Sequence, residues 1–149
     1  RSRRFKADGI VKFSIETWAD ARAAAQPIRY QVFCTEQSIP IELESDDKDV
    51  CSLHCVARDD TGRAVGTGRL LPSGHIGRMA VLAQFRRQGI GKAILGALVE
   101  QARKCELKSV MLHAQTHAMR FYAAEGFAVE GPEFMEAGIA HCVMRRVLD

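Results

Sequence analysis

Apolar and polar residues alternate from Ile10 to Ile15, the period of a half-buried first strand. The spacing then becomes helical over Ala21 to Val32, with Thr17 or Asp20 placed to cap the helix and Pro27 placed to divide or kink it. Ser38 to Asp49 keeps no apolar period. It gathers Glu42, Glu44, Asp46, Asp47 and Asp49 around Pro40 and reads as a solvated surface loop. Alternation returns in Ser52 to Arg58 and in Ala64 to Leu71. The turn Asp59-Asp60-Thr61-Gly62 between them predicts a hairpin. Pro72-Ser73-Gly74 reverses the chain again and His75 to Leu82 forms a third strand. Three consecutive strands before any long helix predict an antiparallel meander and exclude a regular βαβα alternation. Ile90, Ile94, Ala97, Leu98, Ala102 and Cys105 recur at spacings of three and four, so Gly89 to Lys104 is a helix with one buried face. Ser109 to Ala114 is a short buried strand, and Thr116 caps a helix through Ala124 that Gly126 stops. Phe127 to Val129 and Ile139 to Val147 supply the last two strands.

Composition narrows the classes. With 149 residues, 47% of them hydrophobic, the chain can fill one core, and no repeat or linker marks a second domain. Residues 1–149 are therefore expected to form one domain, with Arg1 to Ala7 disordered. The net charge of +3, from 21 Lys plus Arg against 18 Asp plus Glu, gives no field strong enough to imply nucleic acid. A phosphorylated small molecule stays compatible. Cys34, Cys51, Cys55, Cys105 and Cys142 are an odd set without the spacing of a disulfide scaffold, which points to a reducing cytoplasm. No run approaches the roughly 18 apolar residues of a membrane span, so a soluble protein is expected. Cys51, His54 and Cys55, with Cys142 beside His141, lack paired ligand spacing, and no metal is expected.

The chemistry concentrates in Arg86-Arg87-Gln88-Gly89-Ile90-Gly91-Lys92, between a strand ending near Leu82 and the start of the best helix. Glycines let the backbone curl around an anion, while free N–H groups and the helix dipole point at it. Arg86, Arg87 and Lys92 add charge. A pyrophosphate suits such a loop, which is neither a Walker loop nor a three-glycine dinucleotide fingerprint. The bland alternative is a glycine-bearing helix start with solvated arginines.

This segment resembles the R/Q-x-x-G-x-G/A signature of the GNAT superfamily, with Arg86, Gly89 and Gly91 in the signature positions after the strand Arg78-Met79-Ala80-Val81. Gln115-Thr116-His117-Ala118-Met119-Arg120-Phe121-Tyr122 with Gly126-Phe127 is similar to that family's N-x-x-A-x-x-F-Y and G-F segment, with Gln115 in place of Asn. Phe134-Met135-Glu136-Ala137-Gly138-Ile139-Ala140-His141 resembles the F-x-E-x-G-I-x-H pattern of its ElaA-like branch, as does Phe33-Cys34-x-Glu36-Gln37.

The resemblance implies an α/β domain of the α+β type, a mixed and mostly antiparallel central sheet of six to seven strands with about four helices. It implies acetyl-CoA as acyl donor and N-acetyl transfer to a primary amine of a small molecule, peptide or protein, directly in a ternary complex. By the same resemblance the backbone of Met79, Ala80 and Val81 takes the pantetheine, and Arg86, Arg87, Gln88, Gly89, Ile90, Gly91 and Lys92 take the pyrophosphate. Gln115 meets the pantetheine arm, and Tyr122 protonates the departing thiolate. Glu36, His54, Glu136 and His141 are candidates for the acceptor side, with no fixed general base among them. The acidic loop over Asp46, Asp47 and Asp49 is a second candidate for recruiting a cationic acceptor. Many family members are dimers, so a homodimer is among the expectations. The rival functions are a non-catalytic acyl-CoA sensor and an interaction module with a vestigial loop.

Overall fold

The computed structural model describes residues 2–5, 9–44 and 46–149, with side chains from residue 9 onward. β1 (Ser2–Phe5), β2 (Gly9–Thr17), β3 (Leu53–Arg58), β4 (Ala64–Leu70) and β5 (Ile76–Val81) form an antiparallel sheet in chain order. β6 (Ser109–Gln115), β7 (Ala128–Glu136) and β8 (Ile139–Val147) form a second antiparallel sheet in the order β6-β8-β7. The helices are α1 (Trp18–Arg29), the single turn α2 (Ile41–Glu44), α3 (Ile90–Lys104) and α4 (Met119–Ala124). This is the expected α+β class, with one strand more than the pattern predicts. The additional strand is β1: the start of the chain, expected to be disordered, pairs Ser2 with Lys12 and Phe5 with Gly9. Arg1, Lys6 and Ala7 lie outside the described residues.

The two sheets touch through one parallel bridge, His75 to Met111, where the Met111 N–H donates to the Gly74 carbonyl at 3.0 Å. Gly74 has φ +95, and a Cβ there would stand 2.7 Å from the Ser109 carbonyl oxygen, so glycine permits this approach. No further β5–β6 pairing follows among the described residues. The strands therefore part toward Val81 and Gln115, and the gap between their ends is where a ligand's backbone-like arm can enter.

α3 covers one face of the large sheet with Ile90, Ile94, Leu95, Leu98, Val99 and Ala102. Gly68 of β4 lets it come close, since a Cβ there would lie 2.8 Å from Met79 Sδ and 2.9 Å from Ile94 Cγ2 and Leu98 Cδ1. α1 covers the other face and passes without a break into a π-helical segment, Tyr30–Glu36. Pro27 sits inside α1 and the chain continues past it, so it does not divide the helix. Ile28 and Val32 pack there on Ala80.

The segment from Ser38 to Asp49 is not the solvated loop that its composition suggests. Glu44 and Asp49 are buried and meet Arg29, which is 2% exposed and bonds both carboxylates. Arg69, also buried, reaches Asp46 at 2.8 Å and Asp49 at 3.0 Å, and Arg78 reaches Asp46 at 3.1 Å. Three guanidinium groups thus neutralise three carboxylates, which is the condition for burying any of them. Arg78 sits in a β-bulge opposite Gly68 with φ +49, a left-handed conformation that costs a non-glycine residue energy. Its side chain is held by the Glu44 and Leu43 carbonyls at 3.1 and 3.3 Å, which helps to fix that conformation. No helix among the described residues is long and apolar enough to cross a membrane.

Two half-buried groups set a pH dependence. Burial lowers the His75 pKa to about 4 from an ordinary 6.5. The unfolded chain therefore takes up this proton first, and stability falls as pH drops from about 6.5 to about 4. Burial raises the Asp46 carboxyl, but hydrogen bonds and charge from Arg69 outweigh this and hold it at about 2. Its stabilisation is complete above the ordinary pKa of 3.8 and is lost as pH falls toward 2. Melting temperatures between pH 7 and 3 should thus fall in two stages, and His75→Asn should flatten the upper one.

Candidate active site

Beyond β5 a 3₁₀ turn over Ala83–Phe85 leads into the predicted loop, where Arg87 and Gly89 take positive φ of 63° and 86° before α3 begins at Ile90. The first helical bond is Ala93 N–H to the Gly89 carbonyl, 3.0 Å. The amides of residues 87–92 have no backbone partner among the described residues, so consecutive donors gather at the positive end of a 15-residue helix. That arrangement fits a pyrophosphate.

The charge around the loop is divided differently from the expectation. Arg86 donates twice to Glu36, both at 2.9 Å, and once to the Val81 carbonyl at 2.8 Å. Its guanidinium is committed, and its backbone N–H donates to the Ala83 carbonyl at 3.3 Å, so the open donors begin at residue 87. Arg87 makes no ion pair among the described residues, and Lys92 has only a 3.9 Å approach to Glu125. These two supply the free positive charge. The Gln88 side-chain oxygen is buried without a hydrogen-bond partner, an acceptor that a ligand N–H would satisfy.

The two loop glycines differ in what they do. Gly89 needs its left-handed φ, whereas a Cβ at Gly91 would meet Val81 Cγ2 at 3.8 Å and Phe121 Cζ at 3.9 Å, ordinary contacts. Gly89→Ala should cost about 1 kcal/mol or more, and Gly91→Ala should be neutral or stabilise by up to about 1 kcal/mol through helix propensity. Chemical denaturation measures both, and equal effects would show that the loop conformation is not the one described.

Tyr122 stands on α4, half-buried, with its ring edge-on to Phe121 at 5.0 Å and to Phe127 at 6.1 Å. Burial pushes its pKa up to about 12, so the phenol is neutral at ordinary pH. Its hydroxyl makes no hydrogen bond among the described residues and is not a buried orphan, so it is open to a ligand. The preceding 3₁₀ turn starts at Thr116, and the N-cap of α4 is Ala118 rather than the predicted Thr116.

The end of the π-helical segment reaches both walls of the gap. Glu36 holds Arg86 on the loop side, while Gln37 and Gln115 join their amides at 3.0 Å on the β6 side. His117 Nε2 also meets the Gln115 oxygen at 2.7 Å. Of the acceptor-side candidates, His54 is 1% exposed, bonded to the Asp49 carbonyl at 3.0 Å and packed on Trp18, so it supports the buried ion network. Glu36 is the partner of Arg86. Glu136 and His141 do come together: the β7–β8 hairpin sets Glu136 Oε1 4.0 Å from His141 Nε2, and Glu136 Oε2 3.0 Å from His113 Nδ1. His113 was not singled out by its sequence, although it lies two residues before Gln115 and so shares its face of β6. The carboxylates Asp46 and Asp49, proposed for acceptor recruitment, are bound to arginines instead. Burial raises the Cys34 thiol pKa and pushes that of Cys55 to about 12, which leaves neither prepared as a nucleophile.

Comparison with known proteins gives the family. A family model described as an acetyltransferase (GNAT) domain matches residues 17–148. The uncharacterized protein YyaT of Bacillus subtilis is 36% identical over 137 residues, 89% of this chain and 92% of its own. A crystal structure of an acyl-CoA N-acyltransferase from Pseudomonas aeruginosa superposes with a TM-score of 0.82 at 29% identity, over 91% of this chain and 99% of that one. Escherichia coli ElaA shares the fold with a TM-score of 0.82 at 24% identity, over 91% of this chain and 99% of its own. With the donor-rich loop, the parted strands and a match over most of its length, the chain belongs to the GNAT acetyltransferase family.

Proposed function

We propose that this chain, working as a single domain, moves the acetyl group of acetyl-CoA directly to a primary amine within a ternary complex. The observation that carries the reading is the run of unpaired amides over residues 87–92, set beside the opening where β5 and β6 part. The loop holds the pyrophosphate with Arg87 and Lys92 adding charge, and the backbone of Met79, Ala80 and Val81 takes the pantetheine along the free edge of β5. Gln115 closes the arm from β6. The amine nitrogen attacks the thioester carbon, the C–S bond breaks, and the sulfur takes a proton from the neutral Tyr122 hydroxyl. A backbone N–H near Met79 to Val81 is the donor for the oxyanion. Five unpaired cysteines support a reducing compartment such as the cytoplasm.

Incubation with acetyl-CoA and a panel of primary amines, with product identified by mass, tests this directly. N-acetylated product with intersecting initial-rate lines is expected. Acetyl-CoA binding with no product from any amine would favour a non-catalytic sensor, and parallel lines would indicate an acyl-enzyme.

A further inference from the structure

We infer that His141 is the general base of the transfer, receiving the acceptor's proton at Nε2 while Glu136 and His113 pass it toward solvent; this rests on the acetyl-transfer reading above. An alkylamine is protonated near pH 7 and must lose one proton before its nitrogen can attack, and the nitrogen becomes positive again as the C–N bond forms and must lose a second. A base beside the acceptor therefore matters.

The sheet register places His141 opposite Gln115 on β6 and opposite Phe134 on β7. Directly opposed residues share a face, so His141 lies on the same side as Gln115, at the end of β6 that has parted from β5. Nδ1 stands 2.6 Å from the Ile139 carbonyl oxygen. A carbonyl only accepts, so Nδ1 carries the hydrogen and the neutral ring keeps its lone pair on Nε2. His141 is 7% exposed, yet Nε2 makes no hydrogen bond and is not among the buried unpaired atoms, so what it faces is the surface.

The surroundings suit a base. The Phe134 ring stacks on His141 at 5.9 Å and 24°, which holds the imidazole plane. Glu136 stands near Nε2 and stabilises the imidazolium when it forms. The other oxygen of Glu136 meets His113, whose ring lies 4.8 Å from that of His75. The titratable groups about His141 include Glu136 from β7, His113 from β6, one ring further His75 ahead of β5, and His117, which is bonded to Gln115 opposite it. Arg69 and Arg78 are tied to the acidic network. Among the described residues no three His, Cys, Asp or Glu side chains converge as a metal would require.

The proton count closes. The ammonium gives a first proton to Nε2 before the nitrogen attacks, and the imidazolium passes it to solvent; the restored Nε2 takes the second proton as the amide forms, and Tyr122 gives one to the sulfur. The imidazolium then releases its proton through Glu136 and His113, and the phenolate regains one from solvent.

The test compares the parent with His141→Asn, whose amide still donates to the Ile139 carbonyl but offers no base. Benzylamine is the protonated probe and aniline the probe already neutral at pH 7, with acetyl-CoA saturating and CoA release followed. His141→Asn should lower kcat/KM for benzylamine about a hundredfold or more and for aniline far less, with the KM for acetyl-CoA unchanged. Equal losses with both amines, or none, would overturn the assignment. ¹⁵N spectra of the parent's imidazoles should show His141 with hydrogen on Nδ1, and hydrogen on Nε2 in the neutral ring would overturn it as well. Where acetyl-CoA raises the melting temperature but neither amine reacts, the spectrum decides alone. Absence of any acetyl-CoA shift would instead remove the acetyl-transfer reading.

Discussion

Tyr122→Phe should lower kcat by about a hundredfold or more while acetyl-CoA affinity and melting temperature stay near those of the parent. The ring keeps its contacts with Phe121 and Phe127, so the substitution removes one hydroxyl and little packing. That hydroxyl has no partner in the described protein, so its loss leaves nothing unpaired. On the proposed mechanism the whole effect should fall on the step in which the sulfur departs. A thiolate leaving group of low basicity, as in a thiophenyl ester of the same acyl group, should restore much of the rate, because it needs no proton to depart. An unchanged kcat would place Tyr122 among the core residues beside α4. An equal loss in acetyl-CoA affinity would assign the hydroxyl to ligand binding.

Asp49→Ala should destabilise the fold by about 3–5 kcal/mol, because Arg29 and Arg69 would both keep buried charge with fewer partners. For a chain of this length that is a fall in melting temperature of about 10 °C. Asp47, exposed and outside the network, provides the comparison, and Asp47→Ala should change stability by no more than about 0.5 kcal/mol. If the two variants melted together, the buried network would contribute nothing net. The same geometry bears on function, because Arg78 anchors the bulge of β5 just before Met79. A loosened network would therefore raise the KM for acetyl-CoA in parallel with the stability loss, an effect easily mistaken for direct contact with substrate.

Local patterns made the loop and α3 legible. The run from Ile90 to Cys105 keeps a helical period, and Gly89 and Gly91 flank the helix start, the pattern that suits an anion. The pairing of carboxylates with arginines was not legible, because Arg29, Arg69 and Arg78 lie 20 or more residues from their partners Asp49 and Asp46. Acidity without period looks the same whether the groups face water or guanidinium. β7 was predicted only as Phe127 to Val129 and runs to Glu136, since Gly131 and Pro132 interrupt the alternation at a register shift against β8. His54 and His141 show the limit for the site itself. Both are buried histidines bonded to a backbone carbonyl, and only the register reveals that one faces Trp18 and the other faces Gln115.

Acetyl-CoA binding at the loop of residues 86–92 is the claim on which the rest depends, and thermal melting of the parent and of Gly89→Val, each with and without acetyl-CoA, tests it. At about 100 times Kd the ligand should add about 2.7 kcal/mol to the parent, a rise of roughly 5–10 °C for a chain of this size. The folded variant should show little or none. A parent that melts at the same temperature with saturating acetyl-CoA, or a variant that shifts as far as the parent, would contradict the account.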